Sequence, residues 1–337
     1  MTASYDNDSD TDSISSSNAS ENEFNSYPCP ATDWQHHRCL IESRGFLLDT
    51  VTDVKQFYDR YWEGAPLAEK LRCAEYTRAC GYEDGSVLCG DPGLPDNLFR
   101  GRRPCDGKRV IVKAVGRSTR EHDITRTLSS PPMKDDPRNH CIPVLDIIEA
   151  PKHNLAFIVM EEWSSELLPE TPCCLRLFLL ALRSCISHLE FMHEHRIAHL
   201  DISLWNWVTD FKGHYACIDY ELSQRFLGKT NPQIRGPRGT EVPPELDRGA
   251  ECDPFKVDIW ALGVLILRAC RLTDKLIPQL AHLTQSMLSN TPEERPSAQA
   301  VLEGFDDIIA LIDPGELDRC ELPGLHPLTN TQNNPGQ

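Results

Sequence analysis

The sequence predicts an α+β protein in which a small strand-rich part precedes a larger helix-rich part. Two short runs of β-branched and apolar residues, Val110–Val115 and Leu155–Met160, are typical of buried strands, and Asp106-Gly107 is a turn signal before the first. The longer segments 175–195 and 257–268 carry apolar residues at helical spacing. Because the strands come first and the helices later, we expect two lobes of different class.

The composition is that of an ordinary globular protein and limits the classes of partner. The 337 residues are enough for one large or two modest domains with a real core. The formal net charge of -17 argues against nucleic acid or an anionic membrane as a partner, since both favour basic patches. No apolar run is long enough to span a bilayer, and the acidic N-terminus shows no secretory or mitochondrial signal.

The 14 cysteines are scattered and include no Cys-x-x-Cys pair. Disulfides and metal binding are the alternatives to consider, but buried free thiols are the simpler interpretation. We therefore expect an intracellular location, cytoplasmic or nuclear.

Both ends of the chain have the composition of loose tails. Residues 1–27 are rich in Ser, Asn, Asp and Glu, which predicts a disordered acidic segment. Ser9 and Ser20 each have an acid three residues later, which fits an acidophilic kinase site or, more simply, a solvating tail. The Pro-, Asn- and Gln-rich residues 313–337 predict a C-terminal tail.

The segment 28–84 has the features of an ordered N-terminal extension. It contains Trp34 and helix-like runs between Val54 and Ala79 that Gly64 and Pro66 interrupt. Its residues suggest no particular chemistry.

Lys113 and Glu121 are candidates for one half of a phosphoryl-transfer site, which needs a cation on the phosphates, acids for Mg²⁺ and a carboxylate near the attacking hydroxyl. Lys113 lies within a predicted strand, where a buried ammonium group is costly without partners. One interpretation is that Lys113 contacts the phosphates of ATP. The alternative is an exposed lysine on an edge strand. Glu121 begins a predicted helix and is the candidate partner of Lys113. Asp123 is a rival, and a surface charge without function is the other alternative.

Asp201, Asn206 and Asp219 are candidates for the other half. Their spacing lets the Asp201 carboxylate face a substrate hydroxyl while the Asn206 amide oxygen reaches Mg²⁺. Asp219 follows the apolar run Tyr215–Ile218, which predicts a strand that ends at the site, and can hold a metal that bridges the phosphates. A single Asp in a turn is usually a cap, but three groups in this order are less expected by chance.

His193, His195 and His199 have a spacing that also suits metal ligands. The alternative is that histidine is attracted to the C-terminus of the preceding helix by the helix dipole. We favour this second interpretation.

These residues resemble the motifs of the eukaryotic protein-kinase family, over about residues 85–312. Some of the similar segments contain candidate catalytic residues, and others contain residues that stabilise the fold. The fold-stabilising segments are specific to protein kinases and argue against small-molecule phosphotransferases. The segments are Val110–Lys113 (lysine strand), Met160–Glu162 (gatekeeper and hinge), His199–Asn206 (catalytic loop), Pro243–Glu245 (end of the activation segment), Asp258–Gly263 (helix below the catalytic loop) and Glu294–Pro296, whose Arg295 would pair with Glu245.

The resemblance implies a two-lobed protein-kinase fold, with a small β-rich N-lobe that has one helix at about 85–160 and a larger helical C-lobe at about 163–312. It also implies an ATP- and Mg²⁺-dependent kinase that acts on Ser and Thr of protein substrates. The implied catalytic residues are Asp201, Lys113, Glu121 and Asn206; the ATP-binding residues are Lys113, Met160, Glu161, Trp163 and Asp219; the metal ligands are Asn206 and Asp219.

Three other segments resemble, more narrowly, kinase-like proteins from mushroom-forming fungi. These segments are Leu40–Phe46, Asp136–Pro143 and Phe191–His195. This resemblance would make the extension at 28–84 a part of that family's layout.

The Gly-rich loop of protein kinases is not recognisable in this sequence. The four glycines Gly81, Gly85, Gly90 and Gly93 do not have the Gly-x-Gly-x-x-Gly spacing. Prolines at 92 and 95 would also disturb a hairpin, because proline removes a ladder donor. Fewer backbone amides over the phosphates predict weak ATP binding.

Three substitutions within the motifs also bear on activity. Glu221 replaces a glycine hinge after Asp219 and Tyr220, although Tyr220 can still fill the hydrophobic role of the usual Phe. Ser203 replaces a lysine that contacts the transferred phosphate, which is expected to reduce the rate. Leu200 replaces the arginine that receives an activation-loop phosphate.

Two hypotheses follow from these departures. The first is an active protein kinase whose activity does not depend on phosphorylation of Thr230 or Thr240, since the receiving arginine is missing. The second is a catalytically impaired pseudokinase that serves as a nucleotide-binding or scaffold protein.

Overall fold

The computed structural model describes residues 32–64, 66–165, 167–168, 172, 174–236, 239–275 and 277–319. The predicted tail at 1–27, with Ser9 and Ser20, lies outside the described residues, as does most of the predicted C-terminal tail. Within the described ranges, no helix is both long enough and apolar enough to cross a membrane.

A five-stranded antiparallel sheet forms the N-terminal lobe, in the order β1-β2-β3-β5-β4. Val110, Val112, Phe157 and Val159 on the two central strands are fully buried, as alternation on a covered sheet face requires. The strands are β1 (Leu47–Leu48), β2 (Leu98–Arg103), β3 (Lys108–Gly116), β4 (Val144–Ala150) and β5 (Leu155–Glu161).

The N-terminal extension packs directly on this sheet. Its helices are α1 (Trp34–Ser43), α2 (Val51–Tyr61), α3 (Leu67–Lys70) and α4 (Ala74–Cys80). The Trp34 ring lies 5.2 Å from the Phe99 ring and 5.8 Å from the Phe157 ring, between centroids. The extension also contains β1, so part of segment 28–84 belongs to the sheet of the N-lobe. The lobe therefore carries these four helices besides the single helix predicted, α5 (Arg120–Leu128).

The C-terminal lobe is helical, with two small antiparallel strand pairs where it meets the N-lobe. Its long helices α6 and α8 are apolar through most of their length, and Asp253 caps α8 through the Phe255 amide, so that this helix begins earlier than predicted. The elements are α6 (Leu175–Glu194), β6 (Ile197–Ala198), β7 (Trp207–Thr209), β8 (Tyr215–Cys217), β9 (Gln224–Arg225), α7 (Pro244–Asp247), α8 (Pro254–Leu272), α9 (Pro278–Met287), α10 (Ala298–Ala310) and α11 (Pro314–Leu317).

The sheet and the helical lobe confirm the predicted α+β, two-lobed architecture. One difference concerns the start of the predicted C-terminal tail. Residues 314–317 form α11, because Leu317 is buried and the neighbouring Asp318 pairs with Arg176 of α6 at 2.5 Å.

A buried ion pair joins α7 to the chain before α10, as the sequence predicts. The Arg295 guanidinium donates to both carboxylate oxygens of Glu245, at 2.6 and 2.8 Å, and its side chain is 0% exposed. Arg295 also donates to the carbonyls of Ser289 and Lys256. The pair therefore holds the end of the activation segment, residues 219–245, on the helical lobe.

Replacing Arg295 with Met should destabilise the fold strongly. The change leaves the Glu245 carboxylate buried without a partner, which costs about 3–5 kcal/mol of unfolding free energy. The matched control is Arg176→Met, since the Arg176–Asp318 side chains are 51% and 53% exposed and such a pair contributes about 0–1 kcal/mol. Urea-induced unfolding of both variants measures the difference. Similar losses in the two variants would contradict this account of the pair.

Candidate active site

Three charged side chains from different elements meet at the inner end of the cleft between the lobes. Lys113 Nζ on β3 lies 2.5 Å from Glu121 Oε1 on α5 and 3.0 Å from Asp219 Oδ1, which follows β8. Lys113 and Glu121 are 8% and 6% exposed. Asp123, the rival of Glu121, points instead to Arg225 at 3.7 Å. Lys113 is therefore buried and paired with Glu121 and Asp219, and is not an exposed edge-strand lysine.

Lys113 and Asp219 keep each other ionised, whereas burial raises the pKa of Glu121. Burial by itself would lower the pKa of Lys113, but the carboxylates of Glu121 and Asp219 outweigh it and raise this pKa. Burial would likewise raise the pKa of Asp219, but the Lys113 ammonium holds it below its ordinary value. An ammonium and an ionised carboxylate therefore face the cleft at neutral pH.

Asp201 is held in a fixed orientation by its neighbours. Asn206 Nδ2 donates to the Asp201 backbone carbonyl at 2.8 Å and to its Oδ2 at 2.9 Å. The Thr240 amide donates to the other carboxylate oxygen at 2.6 Å. Because Asn206 uses its nitrogen for Asp201, its side-chain oxygen is the atom left for a cation.

The loop that carries Asp201 is fixed from below by Asp258 of α8. The Asp258 carboxylate accepts hydrogen bonds from the amides of His199, at 2.8 Å, and Leu200, at 2.7 Å. Asp258 is fully buried, and Leu200 has a φ of 65°, so this bond pair secures an unusual backbone conformation. The anchoring role that the resemblance implied for α8 is thereby confirmed.

The three histidines near this loop have separate partners. His193 Nε2 lies 3.0 Å from Asp258 Oδ2, and His195 Nδ1 lies 2.8 Å from the Phe191 carbonyl. His199 is buried, with Nε2 3.1 Å from Cys217 Sγ. Because each ring already has its own partner, these three histidines are better explained as structural residues than as ligands of one metal ion.

Tyr220 fills the hydrophobic position after Asp219, as the sequence suggested. Its ring is 2% exposed and lies 5.4 Å from the His199 ring, and its hydroxyl lies 3.1 Å from His188 Nε2. Glu221 is exposed, and one of its oxygens lies within 4.8 Å of oxygens of Glu121 and Asp219. A carboxylate thus stands beside the ion group at the position where protein kinases carry a hinge glycine.

The cleft has a volume of about 880 Å³, within the usual range of small-molecule sites. Its apolar and hinge-side lining comes from both lobes, and this lining brings together all the predicted ATP-binding residues. The predicted residues in the lining are Lys113, Met160, Glu161, Trp163 and Asp219, and the apolar residues beside them are Leu98, Ile111, Val208 and Ile218.

The N-terminal extension covers this cleft, which the sequence analysis did not foresee. Strands β1 and β2 are neighbours in the sheet, but residues 49–97 lie between them in the chain. Val54, Phe57 and Tyr58 of α2 and Arg78 of α4 line the cleft from above. The helical segment therefore lies where a short Gly-rich hairpin would connect the two strands in a protein kinase.

The first amides of α2 are not available to bind phosphate. Those of Val51 and Thr52 donate to the carbonyls of Val87 and Gly85, at 2.9 and 3.0 Å, and that of Asp53 donates to Thr50 Oγ1 at 3.3 Å. These bonds satisfy groups that a helix N-terminus otherwise leaves open. The start of α2 does not substitute for Gly-loop amides.

Arg78 places a cation in the roof of the cleft. Its Nη2 donates to the Gly90 carbonyl, and its Nε is buried without a hydrogen-bond partner among the described residues. No carboxylate of the described chain lies within ion-pair distance of Arg78, although Asp49, Glu75 and Asp91 line the same cleft. A guanidinium without an ion-pair partner among the described residues therefore lines the roof.

Ion pairs connect the roof to the hinge. Arg109 on β3 donates to both oxygens of Asp49, at 2.8 and 2.6 Å, and to Glu162 at 3.1 Å. Arg100 on β2 contacts Asp91 at 2.9 Å and also Glu162. The extension is thereby tied to the segment that resembles the adenine-binding hinge.

The substituted positions Leu200 and Ser203 are both buried. Leu200 is 3% exposed and belongs to an apolar cluster with Phe226, Ile234 and Leu246, so the activation segment is held there by apolar contacts. Ser203 is 1% exposed, and its hydroxyl has no partner among the described residues. Its side chain cannot reach a substrate as a lysine would.

Comparison with known proteins identifies relatives that are named serine/threonine-protein kinases. Identity is 33% over 124 residues with WNG1 and 26% over 225 residues with WNG2, both of Toxoplasma gondii, and 30% over 154 residues with PLK2 of Mus musculus. These matches cover 35%, 60% and 38% of this chain and 19%, 39% and 21% of the respective relatives. The chain thus spans well under half of each relative's length. No protein-family model matches it.

The fold and these similarities support one class of protein. The two lobes have the architecture of the protein-kinase fold, and the three relatives named above as serine/threonine-protein kinases are 26–33% identical to this chain. The class that fold and similarity support is therefore that of the protein kinases.

Gly239 is a site residue that the sequence analysis missed. Its φ is 75°, and a Cβ added there would lie 2.4 Å from the Leu200 carbonyl oxygen and 3.0 Å from Asp201 Oδ1. Only a residue without a side chain lets the activation segment approach closely enough for the Thr240 amide to reach Asp201. A glycine before threonine was the sole sequence signal.

Gly239→Ala should detach the activation segment from Asp201. The matched control is Gly236→Ala, since Gly236 has a φ of 80° but nothing within 4 Å of an added Cβ. Both variants incur the left-handed backbone cost of about 1–2 kcal/mol. Only Gly239→Ala adds steric strain, typically about 1–3 kcal/mol, in the free energy of unfolding measured with urea. Equal losses would show that the close approach at Gly239 is unimportant.

Proposed function

We propose that this protein is an ATP- and Mg²⁺-dependent kinase that transfers the γ-phosphoryl group of ATP to Ser and Thr hydroxyls of protein substrates. The observation that carries the proposal is the convergence of Lys113, Glu121 and Asp219 at the inner end of a nucleotide-sized cleft. The held pair of Asp201 and Asn206 supplies the remaining groups of the reaction.

The residues present fit magnesium and ATP. An ionised carboxylate on Asp219 and a free amide oxygen on Asn206 are the oxygen ligands that Mg²⁺ prefers. Lys113 would contact the phosphates, and Met160, Glu161 and Trp163 would border the adenine. The bound nucleotide supplies the phosphoryl group and the leaving diphosphate.

Asp201 is the proposed catalytic carboxylate of this chain. Its Oδ2 is held by Asn206 and its Oδ1 by the Thr240 amide, so its orientation is fixed before a substrate arrives. In this role Asp201 orients the substrate hydroxyl and accepts its proton. Glu121 acts through Lys113, whose ammonium it holds toward the cleft, and is thus a positioning residue.

Several finer assignments complete the proposal. We retain the boundaries 85–312 for the kinase domain, with the extension at 28–84 contributing the edge strand and the roof. Affiliation with kinase-like proteins of mushroom-forming fungi is supported by the three segments that resemble them. An intracellular, cytoplasmic or nuclear location is supported by the free state of the cysteines in the described ranges.

A pseudokinase that binds nucleotide or a partner is the alternative. It is favoured by the roof, whose first amides are already engaged, and by the burial of Ser203. Both features remove groups that contact the phosphates in active kinases.

Transfer of labelled phosphate distinguishes the two functions. The full chain is incubated with Mg²⁺, γ-labelled ATP and a generic basic protein substrate, beside Asp201→Asn. The proposal predicts label in the substrate for the wild-type protein and almost none for the variant. Equal signals from the two proteins would rule out catalysis by this site. A rise of melting temperature with Mg-ATP without any transfer would support the nucleotide-binding pseudokinase.

Arg78→Gln should weaken binding of Mg-ATP by about 10- to 100-fold, because a hydrogen bond to a charged group contributes about 1.5–3 kcal/mol. Affinity for adenosine should not change, since adenosine has no phosphates. Arg60→Gln, at an exposed position of α2, is the control. Calorimetric titration measures both ligands. An equal loss for adenosine, or no loss for Mg-ATP, would contradict a phosphate-binding role of Arg78.

Activity should not require phosphorylation of the activation segment. A phosphate on the activation segment needs a cationic side chain as its partner. Position 200 instead carries Leu200, which packs in an apolar cluster, so it offers the phosphate no cation. We therefore expect the double variant Thr230→Ala, Thr240→Ala to keep the wild-type transfer rate, since the Thr240 contact to Asp201 uses the backbone amide. Loss of activity in a folded double variant would refute this expectation.

A further inference from the structure

Three histidine side chains converge on the N-lobe outside the cleft. His36 and His37 belong to α1, and His153 ends the short 3₁₀ turn between β4 and β5. The ring centroids lie 5.0 Å apart for His36–His37, 4.8 Å for His36–His153 and 5.0 Å for His37–His153. One nitrogen from each ring lies within 4.8 Å of the other two.

Other histidines of this protein have polar partners for their rings. Examples are His188 with the Tyr220 hydroxyl, His193 with Asp258 and His199 with Cys217. Among the described residues, no hydrogen bond or ion pair is seen for the ring nitrogens of His36, His37 or His153. Their nitrogens therefore remain available to a ligand common to all three.

We propose that His36, His37 and His153 bind one Zn²⁺ ion, with water as the fourth ligand. Imidazole is a preferred ligand of Zn²⁺, and the bond length of about 2.0–2.1 Å places the nitrogens of a tetrahedral site roughly 3.3 Å apart. The nitrogens lie within 4.8 Å of one another, so binding the ion requires the exposed side chains of His36 and His153 to rotate closer together.

The proposed ion would fasten α1 to the sheet. The His37 ring already packs at a tilt against Phe157 of β5, at 4.9 Å between ring centroids, and His153 precedes that same strand. β5 leads to Glu161 at the hinge side of the cleft. The Zn²⁺ site would thus stabilise the docking of the extension whose later helices roof the cleft.

Binding of the metal is tested on the full chain after treatment with a chelator. A titration with ZnCl₂, monitored by calorimetry, should show that one ion binds per chain. His153→Gln is the first variant because His153 is exposed in a turn, so its loss should leave the fold intact. The His153→Gln variant should bind Zn²⁺ more weakly by more than about tenfold. Losing a residue that only hydrogen-bonds a metal ligand already costs about tenfold, and His153 is itself a proposed ligand. His282→Gln, at an exposed site of α9, is the matched control and should bind as the wild type does.

Cobalt distinguishes this site from the free thiols, of which Cys39 lies on the same helix. Co²⁺ bound by three imidazoles gives the visible bands of a tetrahedral site without a thiolate charge-transfer band. The proposal predicts these visible bands in the wild type and in His282→Gln, and their absence in His36→Gln and His153→Gln. No binding by the wild type, unchanged affinity in His153→Gln, or a thiolate band would overturn the assignment and leave aromatic packing as the reason for the cluster.

Discussion

The buried ammonium of Lys113 is the constraint on which the arrangement of the cleft depends. A charge that is 8% exposed requires partners, and breaking such a buried pair costs about 3–5 kcal/mol. Glu121 and Asp219 supply those partners from α5 and from the segment after β8. Because these elements belong to different parts of the chain, satisfying one charge fixes the helix against the sheet and the N-lobe against the C-lobe.

A second set of bonds fixes the other side of the cleft. The Asp258 carboxylate holds the amides of His199 and Leu200, and the Glu245–Arg295 pair holds the end of the activation segment. Between them, Asp201 is oriented by Asn206 and by the Thr240 amide. The geometry expected for phosphoryl transfer therefore rests on buried charges with partners, and at Leu200 the activation segment is held by apolar contacts.

The residues that could be predicted from the sequence are those whose chemistry leaves little choice. A lysine within a strand needs an acid, and the spacing of Asp201 and Asn206 is local, so both arrangements follow from short motifs. The roof could not be predicted, because β1 pairs with β2 across residues 49–97 and no local pattern encodes that pairing. Gly239 and the histidine cluster also escaped prediction, since their meaning depends on contacts between segments distant in the chain.

The proposed function depends above all on the Lys113 ion group being an assembled nucleotide site. The most direct test is the dissociation constant for Mg-ATP of the wild-type protein and of Lys113→Met, with folding of both checked by thermal unfolding. We expect the wild type to bind and the folded variant to bind more weakly by about tenfold or more, because a charged phosphate contact is lost. Equal affinities, or no binding by the wild type at millimolar nucleotide, would contradict this expectation.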